Sequence, residues 1–449
     1  MVDLRSIEHL FHALEVLGQV IPSFFLTVIC TTLSAALITQ PHKTIKFLCM
    51  EFVLLVVPIV LFNTVLNKYP GTINIILLVV MVITIFLFQN QINQKPHREA
   101  GDYKTKTSDK PSTKILNFVT NSRSIINLIA VVAILAVDFT IFPTRFHKTA
   151  RYGVSLMDVG VGLYMYGNGI VACEIRGVQH SIRKTFVNVL PILVIGVLRF
   201  VTTYLTHYHV NPHEYGVHWN FFITLAVAKL LSAVLMTLIT PSFKTCLGIG
   251  VAVIAMHQTQ LSLGIEEWVW SDVGRDNLIT ANREGIISTF GYVGIYFLSV
   301  AVGFIIHKIK QKMIVFWILL TLNIAIALSA IILHELFNIS RCLANSTYIL
   351  WILFIGCLMS FLLFCYECFL NVIYTNHDAV VYCPQLFEGI NYNGLTYFLV
   401  ANLLTGGINL SMKTSSVSAE LALVIILLYM WINSVIVAFL FSKKIKLKL

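Results

Sequence analysis

The chain has 449 residues, 57% of them hydrophobic and only 12% charged, with a mean hydropathy of +0.82. A soluble domain carries about 25% charged residues, so water is not the main solvent of this one. The formal charge of +10 would suit a nucleic-acid binder only if the basic residues formed a stripe; they sit instead in short loops between apolar runs, which excludes that class.

Apolar stretches long enough to cross a ~30 Å hydrocarbon core as helices run near 20–38, 46–66, 72–90, 124–142, 153–173, 187–206, 219–239, 244–262, 286–306, 313–333, 348–374, 392–411 and 418–441. A closed barrel would show alternating segments of about ten residues instead. The fold class is therefore all-α: a polytopic membrane bundle of about 13 transmembrane helices, read as one membrane-embedded domain over 1–449. No basic segment followed by a short apolar core opens the chain, so no removable signal peptide is expected. The eleventh span is long enough to be tilted or broken. One linker, 94–124, is polar and rich in lysine (Lys95, Lys104, Lys106, Lys110, Lys114), the composition of a disordered loop. The Cys365–Cys368 pair lies inside an apolar run and reads as small apolar filler, not as a redox or zinc pair. There is no internal repeat.

Thirteen spans place the termini on opposite sides. With the C-terminus cytosolic, the cytosolic loops hold 20 Lys and Arg residues and the opposite loops 9, as the positive-inside rule requires. The N-x-S/T acceptors at Asn338, Asn345 and Asn409 all fall on the other side, where glycosylation occurs. Asn338 and Asn345 are the expected sites, Asn409 lying close to the membrane.

Ionisable residues are expensive in lipid, so each near a span is a functional candidate. Asp138 closes the fourth span, and Arg145, Lys148 and Arg151 follow in a short loop. Those three form the densest basic cluster on the non-cytosolic side, against the overall bias. The plainer alternative is an interfacial ion pair bracing a hairpin. Asp158 lies in the fifth span beside Gly160, Gly162, Gly167 and Gly169, which permit close helix approach. It needs a partner, and Arg199 or Lys229 is the natural one; a structural ion pair is the favoured reading. Two further clusters lead into spans, His213–Asn220 (with His218 and Trp219) and Asn282–Gly285 (with Arg283 and Glu284). His213 and His218 are five apart and so are not a zinc pair on one helix face. Asn402 adds an amide that must be satisfied within the bundle. Set beside Asp138 and Lys148, these groups would suffice to line one water-accessible cavity.

The stretch from Ala133 through Asp138-Phe139, Phe142-Pro143-Thr144-Arg145-Phe146-His147-Lys148-Thr149, Tyr152-Gly153 and Met157-Asp158-Val159-Gly160-Val161-Gly162 resembles the PIG-W family of the endoplasmic reticulum. Glu214 to Phe222, Asn282-Arg283-Glu284-Gly285-Ile286, and Asn402 to Gly406 with Ile408-Asn409-Leu410 are similar to further motifs of that family, in the same order. The resemblance implies acyl transfer, usually of palmitoyl from acyl-CoA, to the inositol 2-hydroxyl of glucosaminyl-phosphatidylinositol in glycosylphosphatidylinositol (GPI) anchor synthesis. It implies a membrane lipid and acyl-CoA as partners, with no cofactor beyond that co-substrate and no metal. It also implies a 13-helix fold, with Asp138 and Lys148 as the catalytic pair. A carboxylate shielded from bulk water can act as general base on a hydroxyl, and an ammonium can stabilise the thioester oxyanion or hold a phosphate. Arg145, Asp158, His218, Trp219, Asn220, Asn282, Arg283, Glu284 and Asn402 are then the candidates for substrate binding. The chain departs from the family at Thr144-Arg145, where two arginines are usual, and over Met1 to Val20. A lipid transporter or flippase is the rival from another class, but the paired repeats usual in transporters are absent. A histidine-based membrane O-acyltransferase would use His257, which has no accompanying Asn or Asp motif and reads as a satisfied core histidine.

Overall fold

A computed structural model describes residues 4–37, 45–94, 116–177, 181–205, 211–374 and 383–447, and no strand occurs among them. In chain order the helices are α1 (Leu4–Val20), α2 (Pro22–Leu37), α3 (Ile45–Asn63), α4 (Pro70–Asn93), α5 (Asn117–Ala136), α6 (Val159–Gly169), α7 (Ile182–Leu205) and α8 (Phe221–Thr237). Then come α9 (Phe243–Trp270), α10 (Arg283–Lys308), α11 (Lys312–Leu336), α12 (Ser346–Ile373), α13 (Gln385–Tyr392), α14 (Gly394–Ser411) and α15 (Ala419–Ser442). Single helical turns at Pro212–Tyr215 and Leu278–Ala281 precede α8 and α10.

Every expected span contains one of these helices, and ten segments are both long and apolar enough to cross a membrane. The three that fall short are α6, with 11 residues, α8, with 17, and α14, diluted by Asn402 and Asn409. Polar residues shorten or weaken these three, and those residues belong to the candidate motifs. The eleventh span is one unbroken helix, α12.

Two boundaries differ from the sequence reading. Residues 95–115 of the expected disordered loop lie outside the described part, but its end is helical, because α5 begins at Asn117 and stops at Ala136. Hydropathy placed this span later because Thr120, Asn121, Ser122 and Ser124 are polar. They are nonetheless buried, with Ser124 Oγ donating to the Phe387 carbonyl at 2.7 Å and Arg123 bonded to Asn391. The N-terminal segment before the first span is also helical, as α1.

The chain divides into two compact units. The first comprises 1–13, 147–358 and 448–449, and the second 14–146 and 359–447. In the first, α10 is the central helix, 89% buried, and packs against α6, α8 and α9. Small residues let it do so: a Cβ on Gly294 would come 2.7 Å from Ile254, the close approach that small-residue helix faces allow. In this unit α7 and α11 are 17% buried and apolar, so their surfaces face lipid. In the second unit α5 is the central helix, 83% buried, packed by α13, α14 and α15. There Glu51 is buried in α3 and accepts the amides of Gln385 and Leu386 at 2.8 and 2.7 Å. A carboxylate thus caps α13 where the helix dipole is positive.

Candidate functional site

The polar groups read from the sequence fall into two sets, one in each unit. The first unit begins its site with the loop 147–158. Asp158 is 2% exposed, and its partner is neither Arg199 nor Lys229 but Arg341, with Nε 2.8 Å from Oδ1. The Ser155 hydroxyl donates to Oδ2 at 2.8 Å, and the Thr149 amide lies 3.2 and 3.3 Å from the two oxygens. Tyr348 closes the arrangement by donating to the Asp158 carbonyl at 2.8 Å. Both carboxylate oxygens are thus bonded within the unit, which fixes the loop that carries Lys148, whose Nζ lies 2.6 Å from Glu214 Oε1.

Glu214 is presented by the turn Pro212–Tyr215, which Asn211 starts by accepting the His213 amide at 3.0 Å. Burial alone would raise the Glu214 carboxyl. Lys148, Arg341 and Arg199 together outweigh that and hold it below the usual carboxylate range. Gly216 follows at φ +122°, where a Cβ would also come 2.5 Å from Asn282 Cα. Only glycine suits both the left-handed backbone and the contact.

That contact joins the two sequence clusters. The Val217 amide donates to the Ala281 carbonyl at 2.9 Å, and Asn282 Oδ1 accepts the amides of His218 and Trp219 at 2.8 and 3.0 Å. Asn220 caps α8 and donates to the Gly196 carbonyl at 2.8 Å. Arg283 is buried and donates to the carbonyls of Ser271 and Val273 at 2.6 and 3.1 Å. Glu284, fully buried, is held by Arg275 at 2.5 Å. Of the expected substrate contacts, Asn282, Arg283 and Glu284 are bonded to backbone or to a neighbour, and Asn220, which caps α8, also lines the cleft beside Arg199. Lys148, Glu214, His218 and Trp219 keep exposed surface. Of these, Glu214, His218 and Trp219 join Arg199 and Thr203 in lining a cleft with about 420 Å³ of empty space, its open mouth included. His257 is buried and bonded to the Leu343 carbonyl at 2.9 Å, a satisfied core histidine as the sequence indicated.

In the second unit Asp138 lies just beyond the end of α5, and its Oδ2 accepts Asn409 Nδ2 at 2.9 Å. Arg145 pairs with Glu15 at 2.5 Å and donates to Asn67 Oδ1 at 2.6 Å. Asn402 donates to Phe398 of its own helix at 2.8 Å; within this motif Asn409 is the amide that reaches the key carboxylate. That bond also occupies the nitrogen a glycan would need. Asn345, an expected glycosylation site, is instead 2% exposed, and its Nδ2 donates to the Asn338 carbonyl at 2.7 Å. Asn338 is exposed.

Sequence reasoning missed Arg341, Arg275 and Asn409 as partners. Arg341 was legible only as a lone cation between two glycosylation acceptors. Glu214 stood in a quoted motif but was not singled out.

These motifs extend through both units, and so does the match to known proteins. The family model described as GWT1 matches residues 11–440. The chain belongs to the GWT1 family. An uncharacterized protein of Arabidopsis thaliana is 33% identical over 416 residues, covering 89% of this chain and 88% of that one. GPI-anchored wall transfer protein 1 of Candida albicans is 30% identical over 452 residues, with 90% of each chain covered. The human glucosaminyl-phosphatidylinositol-acyltransferase PIGW is 29% identical over 451 residues, covering 89% of this chain and 88% of its own. The resemblance read from the motifs is thus borne out, and GWT1-family sequence runs through α15 as well as α2.

Proposed function

We propose that this chain transfers a fatty acyl group from acyl-CoA to the inositol 2-hydroxyl of glucosaminyl-phosphatidylinositol in GPI-anchor synthesis. The observation that carries this reading is the alignment with the human glucosaminyl-phosphatidylinositol-acyltransferase over 89% of the chain. Lipid transport is not favoured, since none of these relatives carries such a name. Asp138 takes the proton of the inositol hydroxyl, oriented by the amide of Asn409, as a general base must be. The hydroxyl oxygen then attacks the thioester carbonyl. The C–S bond breaks, the ester C–O bond forms, and the CoA thiolate leaves to be protonated. Lys148 supplies positive charge for the oxyanion or for a substrate phosphate; Glu214 holds it until substrate arrives. The site works in the endoplasmic reticulum membrane, with the N-terminus lumenal and the C-terminus cytosolic.

Purified protein incubated with labelled palmitoyl-CoA and glucosaminyl-phosphatidylinositol is expected to form the acylated lipid. Asp138→Ala and Lys148→Ala are expected to lose at least about 100-fold in rate, the contribution of a positioned acid–base group, while remaining folded. Absence of product from the unaltered protein sinks the function; full activity in either variant sinks the residue assignment.

A further inference from the structure

We propose that the cleft beside Arg199 is the seat of the phosphodiester of an inositol phospholipid, with Arg199 as its anion-binding residue. Arg199 belongs to α7, a helix whose surface is apolar and open: Val194, Val197, Leu198 and Tyr204 around it are all exposed. A guanidinium on such a face is costly. It forms none of the ion pairs present among the described residues. Snorkelling toward any headgroup would explain an arginine near a helix end, and Leu205 is six residues, about 9 Å, away. It would not explain a cleft. Asn211, His218 and Trp219 line one next to Arg199 and bring hydrogen-bonding groups and an interfacial aromatic ring to it, and Glu214, the partner of Lys148, lies on its wall.

Phosphate esters occur in both substrates of the proposed reaction, and the location selects between them. The mouth adjoins a lipid-facing helix, so a phospholipid can lay its tails along α7 and bring its phosphate to the guanidinium, which suits bidentate phosphate contact. In acyl-CoA a pantetheine arm separates the phosphates from the acyl tail, whereas the phosphodiester of a phospholipid sits directly beside its tails, as a mouth next to an apolar helix requires. A lipid held there would present its inositol ring toward the Lys148–Glu214 pair. The identity of the inositol lipid rests on the acyl-transfer reading; the anion site does not.

Two arms test this on the full chain. In the kinetic arm, Arg199→Ala is expected to raise KM for glucosaminyl-phosphatidylinositol about tenfold, the loss of one charge-assisted contact. KM for palmitoyl-CoA and kcat should stay within about twofold. Arg199→Lys should recover part of the loss, since an ammonium keeps the charge but not the fork. Arg183→Ala, at the other end of α7, should change nothing. In the binding arm, native mass spectrometry of protein incubated with phosphatidylinositol and phosphatidylcholine should show preferential retention of phosphatidylinositol, lost in Arg199→Ala. An unchanged lipid KM, a rise in KM for palmitoyl-CoA instead, or equal retention by both proteins overturns the proposal. If the unaltered protein makes no acylated lipid, the acyl-transfer reading fails and the binding arm decides the anion site alone.

Discussion

In the proposed mechanism Glu214 holds the ammonium of Lys148 until substrate arrives. Glu214 lies below the usual carboxylate range, so its folded-state affinity for protons is lower than in the unfolded chain. Such a group stabilises the fold above its unfolded pKa, and the contribution is lost as pH falls through the folded value. Thermal stability is therefore expected to be flat, so far as this pair is concerned, from about pH 8 to about pH 5 and to fall below the ordinary carboxylate range. Glu214→Gln should remove that part of the acid limb. Tryptophan-fluorescence melts in detergent at a series of pH values read this out, and identical acid limbs in both proteins would refute it. The Asp158–Arg341 pair behaves differently because both partners are only 2% exposed. Removing one leaves the other charged and buried, at a cost of about 3–5 kcal/mol. Asp158→Asn or Arg341→Leu should lose folded protein and activity together, whereas Lys148→Ala should lose activity alone. Size-exclusion profiles beside turnover separate the two; a well-folded, inactive Asp158→Asn would return that residue to the substrate. The sequence showed Asp158 to need a cation but not which one, because Arg341 is 183 positions away and no local spacing joins them.

At the level of elements, the apolar runs made the helices legible, since lipid leaves the backbone few other solutions. Their ends were less so. Hydropathy cannot distinguish a polar residue in a loop from one bonded inside a bundle, and on that ground α5 began earlier than expected, and the α8 cap of Asn220 and the hold of Asn282 on the His218 and Trp219 amides went unread. Glycine was half legible. In α6 the sequence pointed to close helix approach, and at Gly162 a Cβ would come 2.6 Å from Ile352, whereas at Gly160 nothing lies within 4 Å. Gly162→Ala is thus expected to destabilise by about 1–3 kcal/mol, the usual cost of overpacking. Gly160→Ala should be neutral or slightly stabilising, because alanine is the better helix former. Thermal denaturation of the two variants side by side makes the comparison, and equal losses would mean that α6 packs through another face.

For the whole molecule, the proposed orientation rests on charge and not on coordinates. Twenty basic residues on one side against nine on the other bias the C-terminal Lys443–Lys448 segment to the cytosol. The nine include Arg145, Lys148, Arg275, Arg283 and Arg341, and all five are paired or bonded within their own unit. Five of the nine basic residues that weaken the bias are thus committed to the fold. A C-terminal epitope tag should therefore be stained in cells whose plasma membrane alone is permeabilised, and an N-terminal tag only after the internal membranes are opened. The loop between α11 and α12 gives a second reading of the same orientation. Asn338 is exposed there while Asn345 is buried and bonded, so an endoglycosidase-sensitive mass shift should disappear in Asn338→Gln and persist in Asn345→Gln. A C-terminal tag hidden until the internal membranes are opened would invert the topology, and with it the side from which the cleft beside Arg199 is reached.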